Sequence, residues 1–493
     1  MRSKIQLITY ADRLTGAGLK ELKKLLDNDL NNLFGGAHIL PFYYPIDGSD
    51  AGFDPINHIQ VDPRLGTWKD IENIGQDYEI MADLIVNHMS AGSDEFQDVL
   101  RHPQTSLYRD LFLTKQKVFP NGMSDEQETK IYRPRPGSCF SRYTLDDGVE
   151  TEFWTTFTSA QIDIDVNSKP GQAYLDKALQ QFAQSNIKLI RLDAAGYAIK
   201  QAGSSCFMLN ETFEFINKLS EKAHALGMRT LAEIHAHYET QIHIAKRVDM
   251  VYDFALPPLI LHTINTSNSH SLCHWLTIAP KNCITVLDTH DGIGIIDVGP
   301  SETKAGLLTE EQIDELVNSI HRNSAGQSLK ATGKAANNLD LYQVNCTYYD
   351  ALGKNDYHYL LARAIQFFSP GIPQVYYAGL FALSNDMDLL EKTQVGRDIN
   401  RPYLNPQEIQ NALKKPVVQA LIKLIKIRNQ LKVFEGNFSV DKTQNGLNLT
   451  WDHLGHQASL QVDLIHNQSS IIIRNETGES QIMLMDLLNN SSN

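Results

Sequence analysis

Cysteine is scarce in this chain of 493 residues. There are five, Cys139, Cys206, Cys273, Cys283 and Cys346, odd in number and without Cys-x-x-Cys spacing. Neither a disulfide framework nor a zinc site is expected, and the scattered thiols fit a reducing cytoplasm. Positive charge is also short: 44 Lys and Arg stand against 58 Asp and Glu, a formal net charge of −14. Nucleic acid is therefore not expected as a main partner, although one phosphate in a local basic pocket is compatible with it. No stretch of about twenty apolar residues exists to span a membrane, and the apolar run near Met1 is too short for a signal peptide. No Gly-x-Gly-x-x-Gly follows the first strand-like run, so nothing favours a dinucleotide-binding sheet.

What is present is the composition of an ordinary globular protein, 42% hydrophobic and 21% charged. Short β-branched runs recur, usually followed by stretches of helical period. Strands are expected at Ile5–Tyr10, Ala37–Phe42, Ile80–His88, Ile187–Ala194, Arg229–His235, Met250–Ala255, Ile284–Asp291 and Ile372–Tyr377. Leu19–Leu33, Gln172–Ala183 and Glu211–Leu226 have the spacing of amphipathic helices. Eight strands alternating with helices predict an α/β fold of the (β/α)8 TIM-barrel type; an open doubly wound sheet is the alternative.

Two gaps are too long for simple βα loops. The expected organisation is barrel in 1–86, an inserted subdomain in 87–167, barrel in 168–292, a second insertion in 293–353, and barrel in 354–433. From 434 to 493 the pattern becomes short alternating runs, Leu447–Trp451, Ala458–Val462 and Ser470–Arg474, which predict a small antiparallel β domain.

In such a barrel the C-terminal ends of the strands surround the active site. Strand 3 ends Asp83-Leu-Ile-Val-Asn87-His88, strand 4 Arg191-Leu-Asp193, strand 5 Ala232-Glu233-Ile-His235, and strand 7 Asp288-Thr-His290-Asp291. Acids converging on one mouth raise each other's pKa and are costly without a function. Retaining glycoside chemistry supplies one: an ionised carboxylate attacks the anomeric carbon while a protonated one serves the leaving oxygen. Arg191, two residues before Asp193 and on the same strand face, is placed to keep Asp193 ionised. Arg133 and Arg135 alternate with Pro134 and Pro136 on a stiff loop, which reads either as a solvated basic segment or as a cation for phosphate.

These four segments resemble the signature regions of the α-amylase superfamily (glycoside hydrolase family 13). The resemblance implies Asp193 as nucleophile, Glu233 as general acid/base and Asp291 as transition-state stabiliser. His88 and His290 would then contact sugar hydroxyls, and Arg191 would orient the nucleophile. Further segments are similar to the sucrose phosphorylase group: Gln6-Leu-Ile-Thr-Tyr, His38-Ile-Leu-Pro-Phe, Asp50-Ala-Gly-Phe-Asp-Pro, Tyr132-Arg-Pro-Arg-Pro, Asp193-Ala-Ala-Gly-Tyr197, Asp340-Leu-Tyr-Gln-Val-Asn and Gly396-Arg-Asp-Ile-Asn-Arg. By that similarity Asp50 and Arg397 hold the far hydroxyls of glucose, and Phe53 and Tyr197 form an apolar clamp. Arg135, His235, Tyr342 and Gln343 lie toward the acceptor. Ser138-Cys139 and Pro402 depart from the group's pattern, both on the acceptor side or its support.

The resemblance implies a retaining hexosyltransferase. It passes glucose from sucrose to phosphate through a β-glucosyl ester on Asp193, releasing fructose and α-glucose 1-phosphate. It needs no cofactor or catalytic metal, although amylase relatives often bind a structural calcium near Asn87. A homodimer is left open. The alternatives are a sucrose 6'-phosphate phosphorylase, a sucrose hydrolase, or a non-catalytic barrel acting as a binding subunit.

Overall fold

Strands buried on both faces must be apolar nearly throughout, and the strand-like runs meet that demand by closing on one another. The computed structural model describes residues 4–47, 50–134, 137–301, 303–332, 343–476 and 478–489. Eight parallel strands form a closed barrel in chain order: β1 (Gln6–Thr9), β2 (Gly36–Ile39), β3 (Glu79–Ile85), β4 (Ile187–Asp193), β5 (Arg229–Ala232), β6 (Val251–Asp253), β7 (Cys283–Thr285) and β8 (Ile372–Tyr376). β8 closes on β1 with Gln6 opposite Gln374, and the two amides are joined inside the barrel by a 2.9 Å hydrogen bond. The open doubly wound alternative is thereby replaced by full closure.

Several strands are shorter than the apolar runs that mark them. The expected Ile284–Asp291 strand stops at Thr285, and Arg229–His235 stops at Ala232. His88 leaves the barrel and pairs antiparallel with Asp163 in a separate two-stranded ladder. The polar ends point into the mouth of the barrel, where pocket contacts replace ladder hydrogen bonds. Among the helices, Lys169–Gln184 and Asn210–Ala225 match the periodic stretches. The Leu19–Leu33 stretch is helical only to Asp27. There Asn28 turns its amide back onto the Lys24 carbonyl at 2.8 Å, a local alternative to continuing the helix.

Between β3 and β4 lies a hairpin of Phe140–Thr144 with Glu150–Trp154, set over a small cluster that includes Leu113, Phe119, Cys139 and Trp154. Between β7 and β8, Ile293–Gly294 pairs with Gln343–Val344, and Glu310–Asn323 is helical. After the last long helix, Pro416–Gln430, comes a five-stranded antiparallel sheet: β9 (Asn437–Lys442), β10 (Gly446–His453), β11 (His456–Asp463), β12 (Ser470–Asn475) and β13 (Gly478–Met483). The sheet is fastened to the barrel by Trp451, whose indole N–H donates to the Phe368 carbonyl at 2.7 Å. The helix it covers, Asp356–Phe368, is buried along almost its whole length, which explains its Leu, Ile and Phe on every side.

That helix also carries Arg363, fully buried, with Nη2 2.8 Å and 2.9 Å from the two oxygens of Asp288 beyond β7. The pair fits because residue 379 is glycine: a Cβ there would lie 2.0 Å from Arg363 Nη2 and 2.1 Å from Asp288 Oδ2. Removing one partner of a buried pair strands the other charge, at a cost of about 3–5 kcal/mol. Asp288→Ala is expected to lower stability by that amount in denaturant unfolding. Glu315→Ala, which removes the exposed partner of Arg322, is expected to change it by less than ~0.5 kcal/mol.

Candidate functional site

The register of the barrel builds the site. Arg191 lies directly across from Asp83 in the β3–β4 ladder, and Asp193, two residues on, emerges on the same face. Arg191 Nη1 lies 2.6 Å from Asp83 Oδ1 and 2.8 Å from Asp193 Oδ1, and Nη2 lies 3.5 Å from Glu233 Oε1. One buried guanidinium thus serves three carboxylates. Asp83 has the better share, because His38 Nε2 also sits 2.8 Å from its second oxygen. Burial would raise the Asp83 pKa, but His38 and Arg191 together hold it at about 2.

Asp193 titrates in the opposite direction from the sequence expectation. Burial pushes its carboxyl well above the usual range, Arg191 opposes this, and the neighbouring Glu233 charge pushes it further up. Arg191 is in contact, as the sequence suggested, but its charge is divided among Asp83, Asp193 and Glu233. Asp193 is therefore compensated less fully than Asp83. Ala194 follows in a left-handed turn at φ 53°, which aims its N–H at Glu233 Oε2, 3.3 Å away.

Asp291 is treated differently. Burial would raise its pKa, but Arg397, His290 and Arg401 overcome that, and it is held far below the usual carboxylate range. Arg397 Nη1 is 2.8 Å from Asp291 Oδ1 and 3.9 Å from Asp50 Oδ1. The Asp50–Arg397 contact is present at 3.9 Å, and Arg397 lies closer to Asp291. His290, whose pKa burial lowers to about 3, stays neutral and stacks on Phe53 at 4.8 Å. His88 is likewise kept neutral by burial. Tyr197 stands opposite, edge-on to Phe157 at 5.3 Å and tilted against Phe207 at 4.6 Å.

A single pocket is lined by Asp50, Phe53, His88, Arg191, Asp193 and Tyr197, and by Glu233, His235, His290, Asp291, Gln343 and Arg397. Those twelve were all singled out from the sequence. Arg135 and Tyr342, the other two acceptor-side candidates, lie outside the described residues. The sequence reading missed Pro134, Phe157 and Gln161, which also line the pocket. Pro134 sat inside a segment read for its arginines. Phe157 and Gln161 belong to no motif; Gln161 is brought in by the antiparallel pairing of His88–Ser90 with Gln161–Asp163, and Phe157, just before that strand, packs edge-on to His88 at 5.3 Å.

The position beside Asn87, where relatives often carry calcium, already holds a cation. Lys200 Nζ lies 2.8 Å from Asn87 Oδ1 and 2.7 Å from Asp163 Oδ2, and also donates to the Tyr197 carbonyl. An ammonium among these oxygens does not fit a divalent ion at the same point. Among the described residues no group of three or more His, Cys, Asp or Glu side chains is placed to hold a metal. Among them, too, no helix is long and apolar enough to cross a membrane.

Fold and pocket together define a class: a (β/α)8 barrel with acids at the ends of strands 4, 5 and 7, as in the α-amylase superfamily. Residues 34–256 match the family described as alpha amylase, catalytic domain. The chain is 56% identical to the sucrose phosphorylase of Agrobacterium vitis, across 96% of this chain and 97% of that one. It is 50% identical to the sucrose phosphorylase of Bifidobacterium adolescentis, across 93% and 92%. The crystal structure of sucrose 6F-phosphate phosphorylase from Thermoanaerobacter thermosaccharolyticum superposes with a TM-score of 0.90 at 37% identity, covering 98% of each chain. The chain belongs to the sucrose phosphorylase family.

Lys200 and Asp163 are 1% and 0% exposed, so Lys200→Met leaves a buried carboxylate without its cation. A loss of about 3–5 kcal/mol is expected in denaturant unfolding. Adding Asp163→Asn to that variant removes the stranded charge and is expected to recover part of the loss.

Proposed function

We propose that this protein is a retaining glucosyl-transferring phosphorylase that converts sucrose and phosphate into α-glucose 1-phosphate and fructose. The observation that carries the reading is the Asp193–Glu233 pair on one guanidinium, at the base of a pocket whose far side holds Asp50, Arg397 and Asp291. Identity of 56% and 50% to sucrose phosphorylases, against 37% to the sucrose 6F-phosphate enzyme, favours unphosphorylated sucrose as donor.

The first half-reaction needs one ionised and one protonated carboxyl group. With sucrose in place, the proton resides on Glu233 and passes to the glycosidic oxygen as fructose leaves. Asp193, ionised, attacks the anomeric carbon from the other face and holds glucose as a β-linked ester. Arg191 stays in contact with both carboxyl groups throughout. Asp291, kept ionised by Arg397 and Arg401, faces the positive charge that develops on the sugar ring. In the second half-reaction Glu233 takes a proton from phosphate, which attacks the ester with net retention. Phe53 and Tyr197 wall the sugar, and Asp50 with Arg397 takes its far hydroxyls. Arg135, Tyr342, Gln343 and His235 meet the acceptor.

The test is release of glucose 1-phosphate from sucrose with and without phosphate. Phosphate-independent glucose release would mark a hydrolase, a preference for sucrose 6'-phosphate the sister activity, and no turnover a non-catalytic barrel. Asp193→Asn is expected to abolish turnover with the fold intact; a tenth of the parental rate surviving would remove Asp193 as nucleophile. Glu233→Gln is expected to lose sucrose turnover yet still accept α-glucosyl fluoride, whose leaving group needs no proton, with azide restoring turnover. An equal loss on both donors, unrelieved by azide, would count against Glu233 as acid/base.

A further inference from the structure

Among the described residues, a histidine stands beside Glu233 on the acceptor side. His235 is buried, 7% exposed. Its Nε2 points toward the pocket, 3.8 Å from Glu233 Oε1 and 3.4 Å from Gln343 Nε2. Its Nδ1 points away, 3.0 Å from Oδ2 of the fully buried Asp297. The ring is stacked on Phe254 at 3.8 Å and 13°, which leaves it no rotation out of that line. Asp297 is itself held from behind: Oδ1 accepts the Ala236 N–H at 3.2 Å and the Gln241 amide. The two groups are packed under Gly294, where a Cβ would stand 2.6 Å from Asp297 Oδ2 and 3.5 Å from His235 Nδ1.

We propose that Asp297 is a positioning residue for the phosphate half-reaction: its carboxylate, 3.0 Å from Nδ1, fixes His235 with Nε2 facing the acceptor, so that the ring offers an N–H to an oxyanion. The proposal rests on the phosphorolysis reading above. Among the described residues, Asp297, Glu233 and Asp291 act on the His235 ring, each favouring its protonated form. Burial favours the neutral ring, and Asp297 outweighs it, so His235 titrates above the usual histidine value. The Gln343 amide, with its N–H toward Nε2, favours the neutral ring as well. That contact is long and between neutral dipoles, whereas the Asp297 contact is a buried charge pair at 3.0 Å, and the pair prevails. Phosphate arriving at Nε2 meets N–H and positive charge together. Water, the acceptor in hydrolysis, has no charge to be recognised, so the two reactions depend on Asp297 unequally.

The experiment compares parent and Asp297→Asn for phosphorolysis and hydrolysis of sucrose between about pH 5.5 and 8. The amide keeps the shape of the carboxylate and removes its charge. An apparent phosphate KM about tenfold higher at pH 7 is expected, the scale of a lost charge-assisted contact. Hydrolytic kcat is expected to fall less than about threefold. The rise of phosphate KM with pH, which follows loss of the His235 proton, is expected about one unit or more lower in the variant. Phosphate's own ionisation is common to both proteins and cancels in the comparison. Gly294→Ala, which displaces the Asp297 carboxylate without altering its charge, is expected to show the same split. If both variants lose phosphorolysis and hydrolysis in parallel, or phosphate KM and its pH profile match the parent's, Asp297 has a structural role only. The parent in the same assay separates the two claims. Parental phosphorolysis with an unmoved variant KM overturns the Asp297 role alone, whereas a parent that ignores phosphate overturns both.

Discussion

The guanidinium of Arg191 is the constraint on which the rest of the site depends. It is buried on β4, in ladder register with Asp83 and two residues from Asp193, and its second nitrogen reaches toward Glu233. A single positive charge cannot fully compensate three buried negative ones. Asp83, supported also by His38, remains ionised, and the deficit falls on Asp193, whose carboxyl is pushed above the usual range. The raised Asp193 carboxyl is thus a consequence of counting charges along three adjacent strands.

Around this centre, further acids are stabilised by cations of their own, each from a different part of the chain. Asp291 has Arg397 and Arg401 from beyond β8, Asp163 has Lys200 from beyond β4, and Asp288 has Arg363 from the helix before β8. Each pair joins a strand end to a segment far away in sequence. The acidic mouth is therefore also a set of cross-links, and the charges that define the pocket hold its walls in place.

The barrel and most of its pocket were legible in the sequence because they rest on local patterns. Ile187–Asp193 is a strand by its apolar continuity, and Asp193 is at its end by its position in that run. Twelve pocket residues sat at such ends or in compact motifs. Where the sequence reading erred, the deciding interaction was non-local. The charge state of Asp193 depends on Asp83, 108 residues from its shared partner Arg191 and visible only through ladder register. Gln161 enters through a short antiparallel ladder with no periodic signal, and Phe157 through the loop before it. Asp297 is 62 residues from His235, in a stretch with no catalytic pattern. The helix that should have run to Leu33 ended at Asp27 through a side-chain-to-backbone bond that periodicity does not register.

Lys200 has a consequence of a different kind. The cation that ties the Asn87 end of β3 to Asp163 and to the Tyr197 carbonyl is attached to the polypeptide by its own side chain. Its local concentration is therefore fixed by covalent tethering and does not depend on what is dissolved around the protein. A mobile ion in that position would make the mouth of the barrel only as durable as its occupancy, and sequestering agents or a dilute medium would loosen it. A tethered ammonium gives up that adjustability, and in exchange the walls around the sugar are complete as soon as the chain has folded.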